Sequence, residues 1–187
     1  MEGYRRAFRL LAGPTAEWTA IRDERLGGRS VNAIKGAVTH ALLVPMPAAV
    51  AWALGRQSMD GASGTATFVS NLLATWGLYG AAMLTLAAAI TLLLPMYGCP
   101  RDVTGAFVVA TWASTPALFA GAFVLAPVMM ALVVVSLPYC CFMVYSGVTI
   151  VLGVRRSDAA EFAAAAGVLG TTMAVLLGHG LSALKVI

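Results

Sequence analysis

Residues 103–154 read VTGAFVVATWASTPALFAGAFVLAPVMMALVVVSLPYCCFMVYSGVTIVLGV, a run of 52 residues between Asp102 and Arg155 without one Asp, Glu, Lys, Arg or His. A helix crosses a bilayer in about 20 mostly apolar residues at ~1.5 Å rise each. The run is therefore long enough for two crossings, and Pro127 with its neighbours supplies the one turn signal inside it. Soluble cores have no use for so long an uncharged stretch, so the solvent of this chain is lipid. Charge inside a membrane marks ion and proton pathways. Its lack here argues against proton- or ion-coupled work through this half of the chain.

Composition agrees. Hydrophobic residues make up 60% of the 187 residues and charged residues 11%, against roughly 25% charged in a soluble domain. The net charge of +4 is then read through its placement along the spans, and nucleic acid is not expected as a partner. Cys99, Cys140 and Cys141 form no disulfide framework. The last two are neighbours in an apolar segment, about 100° apart on a helix, and read as small packing residues. The first 35 residues are too long and too charged for the n-region of a signal peptide. The apolar segment that follows them is expected to be a retained anchor.

Apolar runs between charges and Gly/Pro punctuation place five spans, at about 36–54, 68–95, 103–125, 128–153 and 161–184. The expected fold is an all-α integral membrane protein with five transmembrane helices in residues 36–187, preceded by an amphipathic N-terminal segment, 1–35. The second span is long enough to tilt or protrude. Pro45 and Pro47 lie in the first span, Pro116 in the third and Pro138 in the fourth. Each frees a backbone carbonyl that a neighbour must satisfy, and Ser114 and Thr115 are placed to help at Pro116. With the N-terminus in the cytoplasm, ten Lys and Arg fall on that side: Arg5, Arg6, Arg9, Arg22, Arg25, Arg29, Lys35, Arg101, Arg155 and Arg156. Only Arg56 and Lys185 fall on the other. This bias sets the expected orientation, with the C-terminus outside the cytoplasm.

In the N-terminal segment, Gly13-Pro14 reads as a helix start with Glu17 in the first turn, and Gly27-Gly28 as its stop. Trp18 and Ile21 share one side of that helix. Before it, Tyr4, Phe8 and Leu11 recur at helical spacing opposite Arg5, Arg6 and Arg9. Arg5, Arg6, Phe8, Arg9 and Trp18 suit the surface of an anionic leaflet; the alternative is a short helix packed on the ends of the spans. Asp158 and Glu161 are spaced as a capping-box variant ahead of the fifth span.

Reactive groups are few. His40 lies near the start of the first span and His179 near the end of the fifth, so their depths differ by some 20 Å at helical rise and they do not share a metal. No nucleophile elbow, His-Glu-x-x-His, phosphate loop or Cys-x-x-Cys is present, and no cofactor or catalytic residue is expected. A lipid-headgroup enzyme would require Asp102 or Glu24 in a pocket. Small residues form a clearer pattern. Ala166, Gly170, Ala174, Gly178 and Ser182 make a ridge on the fifth span, and Gly77, Ala81, Thr85 and Ala89 one on the second. Such ridges let helix backbones approach closely in lipid, against another span of the same chain or a second subunit.

The order of features resembles the Yip family, in particular its bacterial branch. The residues that carry this are Pro14, Trp18, Ile21 and Glu24 in GPTAEWTAIRDE, Ser114-Thr115-Pro116 in the third span, and Tyr145-Ser146-Gly147 in the fourth. The resemblance implies five spans with a cytoplasmic N-terminus. For eukaryotic members it implies vesicle traffic and contact with prenylated Rab-type GTPases. For the bacterial branch it implies a membrane protein without an established reaction and brings no catalytic residues. The expected function is non-enzymatic: an accessory subunit or membrane-organising factor that acts through helix packing with lipids and with another membrane protein or itself. The alternative is a passive channel, or a transporter or flippase for a lipid or small neutral molecule, its path lined by Thr, Ser and Asn71.

Overall fold

The structure, a computed structural model, describes residues 2–60, 64–123 and 130–183, with side chains over 4–28, 30–55, 64–123 and 135–176. The described residues form nine α-helices: α1 (Glu2–Ala12), α2 (Pro14–Glu24), α3 (Ser30–Leu43), α4 (Pro45–Asp60), α5 (Thr65–Leu93), α6 (Val103–Ala113), α7 (Thr115–Gly121), α8 (Met130–Val151) and α9 (Arg156–Ala183). Among the described residues four segments are long and apolar enough to cross a membrane: Ser30–Gly55, Thr65–Tyr97, Val103–Gly121 and Arg156–Leu176. Val135–Val151 of α8 adds a shorter apolar one. The turn expected at Pro127 lies outside the described residues.

The first and third spans are each broken in two by proline. Pro45 and Pro47 have no N–H to give to the carbonyls of Ala41 and Leu43. Tyr4 of α1 reaches across and donates its hydroxyl to Leu43 O at 3.0 Å, and Trp76 of α5 donates Nε1–H to Leu42 O at 3.0 Å. At Pro116 the deprived carbonyl is that of Trp112, and Thr115 Oγ1 donates to it at 2.6 Å. Ser114 Oγ donates to Ala110 O at 2.8 Å. Thr115 thus does what the Ser-Thr-Pro order predicts, whereas Ser114 bonds a carbonyl that already accepts from its own N–H and does not help at Pro116. The two breaks pair off in space: α3 packs on α6, and beyond the breaks α4 packs on α7.

α5, 29 residues long, spans ~43 Å at helical rise and exceeds the ~30 Å apolar core it crosses. It packs against α4, α6 and α9, while α8 sits among α2, α6, α7 and α9. Gly98 (φ 73°) and Gly153 (φ 75°) turn the chain back after α5 and α8 in the left-handed region where other residues are strained. α9 starts at Arg156, five residues before the expected 161. Asp158 is already in its first turn, where it takes bonds from Arg155 and Ser157, so the capping-box reading at Asp158 and Glu161 does not describe this helix start.

The ridge on α9 is used inside the chain. Ala166 and Gly170 are buried, and a Cβ on Gly170 would lie 3.2 Å from Leu86 Cα of α5. Ala174 is half-buried, and the side-chain surroundings of Gly178 and Ser182, like His179, lie outside the described side chains. The ridge on α5 does not face it as a unit. Ala89 is buried, Ala81 and Thr85 are half-buried, and Gly77 is exposed.

Candidate functional site: the seat of the N-terminal hairpin

α1 and α2 fold back on each other as a hairpin, and ion pairs join the two arms. Arg6 Nε donates to Glu17 Oε1 at 2.8 Å and its Nη1 to Glu24 Oε2 at 3.1 Å, with Nη2 on Glu24 Oε1 as well. Arg9 Nε donates to Glu17 Oε2 at 2.9 Å. Burial disfavours the Glu17 charge, but the Arg9 and Arg6 bonds and charges outweigh it and hold the carboxyl below its ordinary value of 4.5. Arg6 likewise loses by burial, and the Glu24 and Glu17 bonds and charges more than compensate, raising its pKa.

With its charges paired, the hairpin offers an apolar face to the bundle. Ala7, Leu10, Trp18 and Ile21 are completely buried. The inner face of α1 is therefore Ala7 and Leu10 beside Arg6, and the stripe expected at Tyr4, Phe8 and Leu11 stands at the margin, with Phe8 exposed. Of the residues read as membrane-facing, Trp18 and Arg6 point inward; Arg5, Phe8 and Arg9 remain exposed. Trp18 is enclosed by protein and does not contact a leaflet.

Trp18 fits because of a glycine 129 positions away. A Cβ built on Gly147 of α8 would lie 2.9 Å from Val109 Cγ1 of α6 and 3.1 Å from Trp18 Cζ2. Only hydrogen at that position lets α2, α6 and α8 close around the indole. Further ties hold the hairpin: Tyr139 donates to Leu11 O at 2.8 Å, the rings of Phe8 and Phe119 are 5.2 Å apart, and Arg25 pairs with Asp102 at 2.5 Å. Asp102 also caps α6, its Oδ1 accepting from Gly105 N at 2.7 Å. A Cβ on Gly105 would collide with Leu152, Arg25 and the Asp102 carboxylate.

Behind the hairpin, Arg6 lies over the Trp112 ring, 5.9 Å from its centroid, with Gly36 beside both. The ring of His40 is 4.2 Å from that of Trp112 and 1% exposed, and its Nε2 is 3.1 Å from Thr115 Oγ1. Since Thr115 gives its proton to Trp112 O, it accepts here, so His40 carries hydrogen on Nε2. His40 is thus a structural group at the break of the third span. Thr115→Val, which keeps the shape, strands Trp112 O and His40 Nε2; it is expected to lower stability by about 1–3 kcal/mol. Thermal unfolding in detergent is the check, with Thr115→Ser close to the native chain.

Several residues of the sequence resemblance come together at this seat. Pro14 starts α2, Trp18 and Ile21 face inward, Glu24 holds Arg6, Gly147 receives the indole, and Thr115 and Pro116 form the break that His40 supports. Tyr145 stacks beside Phe142, 6.5 Å between ring centroids. Sequence reading missed Ala7, Leu10, Trp112, the Arg25–Asp102 pair and the pairing of Glu17 with Arg6 and Arg9. Trp112 is the one with a signal, as the larger of the two rings, with Phe107, in α6. Asp102 and Glu24, which a headgroup enzyme would require, are held by Arg25 and Arg6. Among the described residues no three His, Cys, Asp or Glu side chains converge on a metal position.

A helical bundle with several membrane-crossing segments and a docked terminal hairpin is an integral membrane protein. Residues 8–178 match the Yip1 domain, and the chain belongs to the Yip1 family. No curated protein and no solved structure matches it.

Proposed function

We propose that the protein is a non-enzymatic, five-span component of a bacterial inner membrane, N-terminus in the cytoplasm, that acts through helix packing as an accessory subunit or membrane-organising factor. One observation carries the reading. Leu73, Gly77, Gly80 and Leu84 recur along one face of α5; both leucines are exposed, and a Cβ on either glycine would meet nothing within 4 Å. Large residues flanking two glycines make a face that a second helix can approach closely. Leu86 of α5 already lies against Gly170 of the α9 ridge, whereas this stripe is open, among the described residues, to another membrane protein or a second copy. The ten-to-two distribution of Lys and Arg supports the orientation.

Gly77→Leu together with Gly80→Leu is expected to abolish co-assembly and leave the thermal unfolding of the chain unchanged. The measurement is mass in mild detergent together with cross-linking in native membranes. A native chain that is a lone monomer and cross-links to nothing overturns the reading.

A further inference from the structure

An apolar groove of about 570 Å³ opens between α3, α5 and α6. Leu84, Ala88 and Leu92 form one wall, Phe107 and Thr104 the other, and Ile34 closes the third side. Leu84 and Leu92 are themselves more than half exposed at its rim. From Leu84 to Leu92 the groove runs ~12 Å along the helix, close to the ~15 Å of one leaflet of the apolar core. It begins where α6 begins, at the end of the bundle that holds the N-terminal hairpin.

Two cations stand at that end. Lys35 follows Ile34 on α3, and Arg101 precedes Val103 of the groove by two residues; both are exposed. Asp102, the neighbouring carboxylate, is engaged by Arg25 and by the α6 N-terminus, so it does not cancel them. Thr104, exposed on the rim, adds a hydroxyl at the level of a glycerol ester. A slot one leaflet deep beneath two cations that no carboxylate pairs among the described residues has the shape and charge of an anionic phospholipid. We propose that this groove binds one such lipid from the leaflet on the hairpin side, an acyl chain along α5 and the phosphate at Lys35 and Arg101. The site is independent of the α5 stripe above, which it meets only at Leu84.

The test is native mass spectrometry of the full chain in mild detergent with equimolar phosphatidylglycerol and phosphatidylcholine. One phosphatidylglycerol should be retained, with a preference on the order of tenfold for two cations near the headgroup. Ala88→Trp fills the slot and should remove the retained lipid. Lys35→Gln with Arg101→Gln should keep a lipid but bring the two headgroups to equal retention. Because both cations are exposed, the double variant decides the matter even if Ala88→Trp misfolds. Equal retention by the native chain, unchanged preference in the double variant, or a co-purified protein in place of lipid each overturns the proposal.

Discussion

Trp18→Ala is expected to release the N-terminal hairpin from the bundle and to lower stability by about 3–5 kcal/mol, the scale for emptying the site of a large buried ring. The indole is completely buried among α2, α6 and α8, and no other hairpin residue fills comparable volume. Its Nε1 makes no hydrogen bond, so Trp18→Phe should cost distinctly less than Trp18→Ala. Gly147→Leu attacks the same contact from the opposite side. Its added atoms must occupy the space of Val109 and Trp18, and overpacking of this kind costs at least about 1–3 kcal/mol. Thermal unfolding and protease cleavage between α1 and α3 read both variants. Cleavage that rises in each while α5 and α9 stay intact is the expected pattern.

Arg6→Ala is the second large effect. It leaves Glu17, whose side chain is 9% exposed, with Arg9 alone, and removes from Glu24 its partner across the hairpin. Removing one member of a buried pair costs 3–5 kcal/mol; with Arg6 17% exposed, about 2–4 kcal/mol is expected. Glu17→Gln should recover part of that loss, because it removes the buried charge left behind. The same pair sets a pH dependence. Glu17 has a folded pKa below its ordinary 4.5, so its stabilisation is complete above that value and is lost as pH falls through the lowered one. Hairpin protection should be flat from neutral pH down to about 5 and decline only in more acid solution, with the decline absent in Glu17→Gln.

Much of the architecture was legible because bilayers impose simple arithmetic. The uncharged run 103–154 reads as membrane helix by length alone, Pro45 and Pro116 mark breaks that the helices indeed show, and Gly13-Pro14 starts α2 as read. Trp18 and Ile21 share the inner face that their spacing implies. What failed was the reading of α1. Periodicity counts Arg6 as outward because it is charged, yet three bonds to Glu17 and Glu24 neutralise it and carry Ala7 and Leu10 inward. Such pairing is set by where α2 folds back, which spacing within α1 does not contain. Contacts between distant positions were equally hidden: Trp18 with Gly147, Tyr4 with Leu43 and Arg25 with Asp102. The short family motifs named two of these residues, Trp18 and Gly147, without saying that they meet. The α9 ridge was visible as a pattern, and only packing decided that Leu86 of α5 occupies it.

The N-terminal hairpin is a seated part of the membrane bundle, held by Trp18 on Gly147. Hydrogen exchange of the native chain and of Gly147→Leu in lipid nanodiscs tests it most directly. Slow exchange is expected across 4–24 in the native chain and fast exchange there in the variant, with α5 and α9 unchanged in both. Fast exchange of 4–24 in the native chain, or protection that survives Gly147→Leu intact, would contradict it.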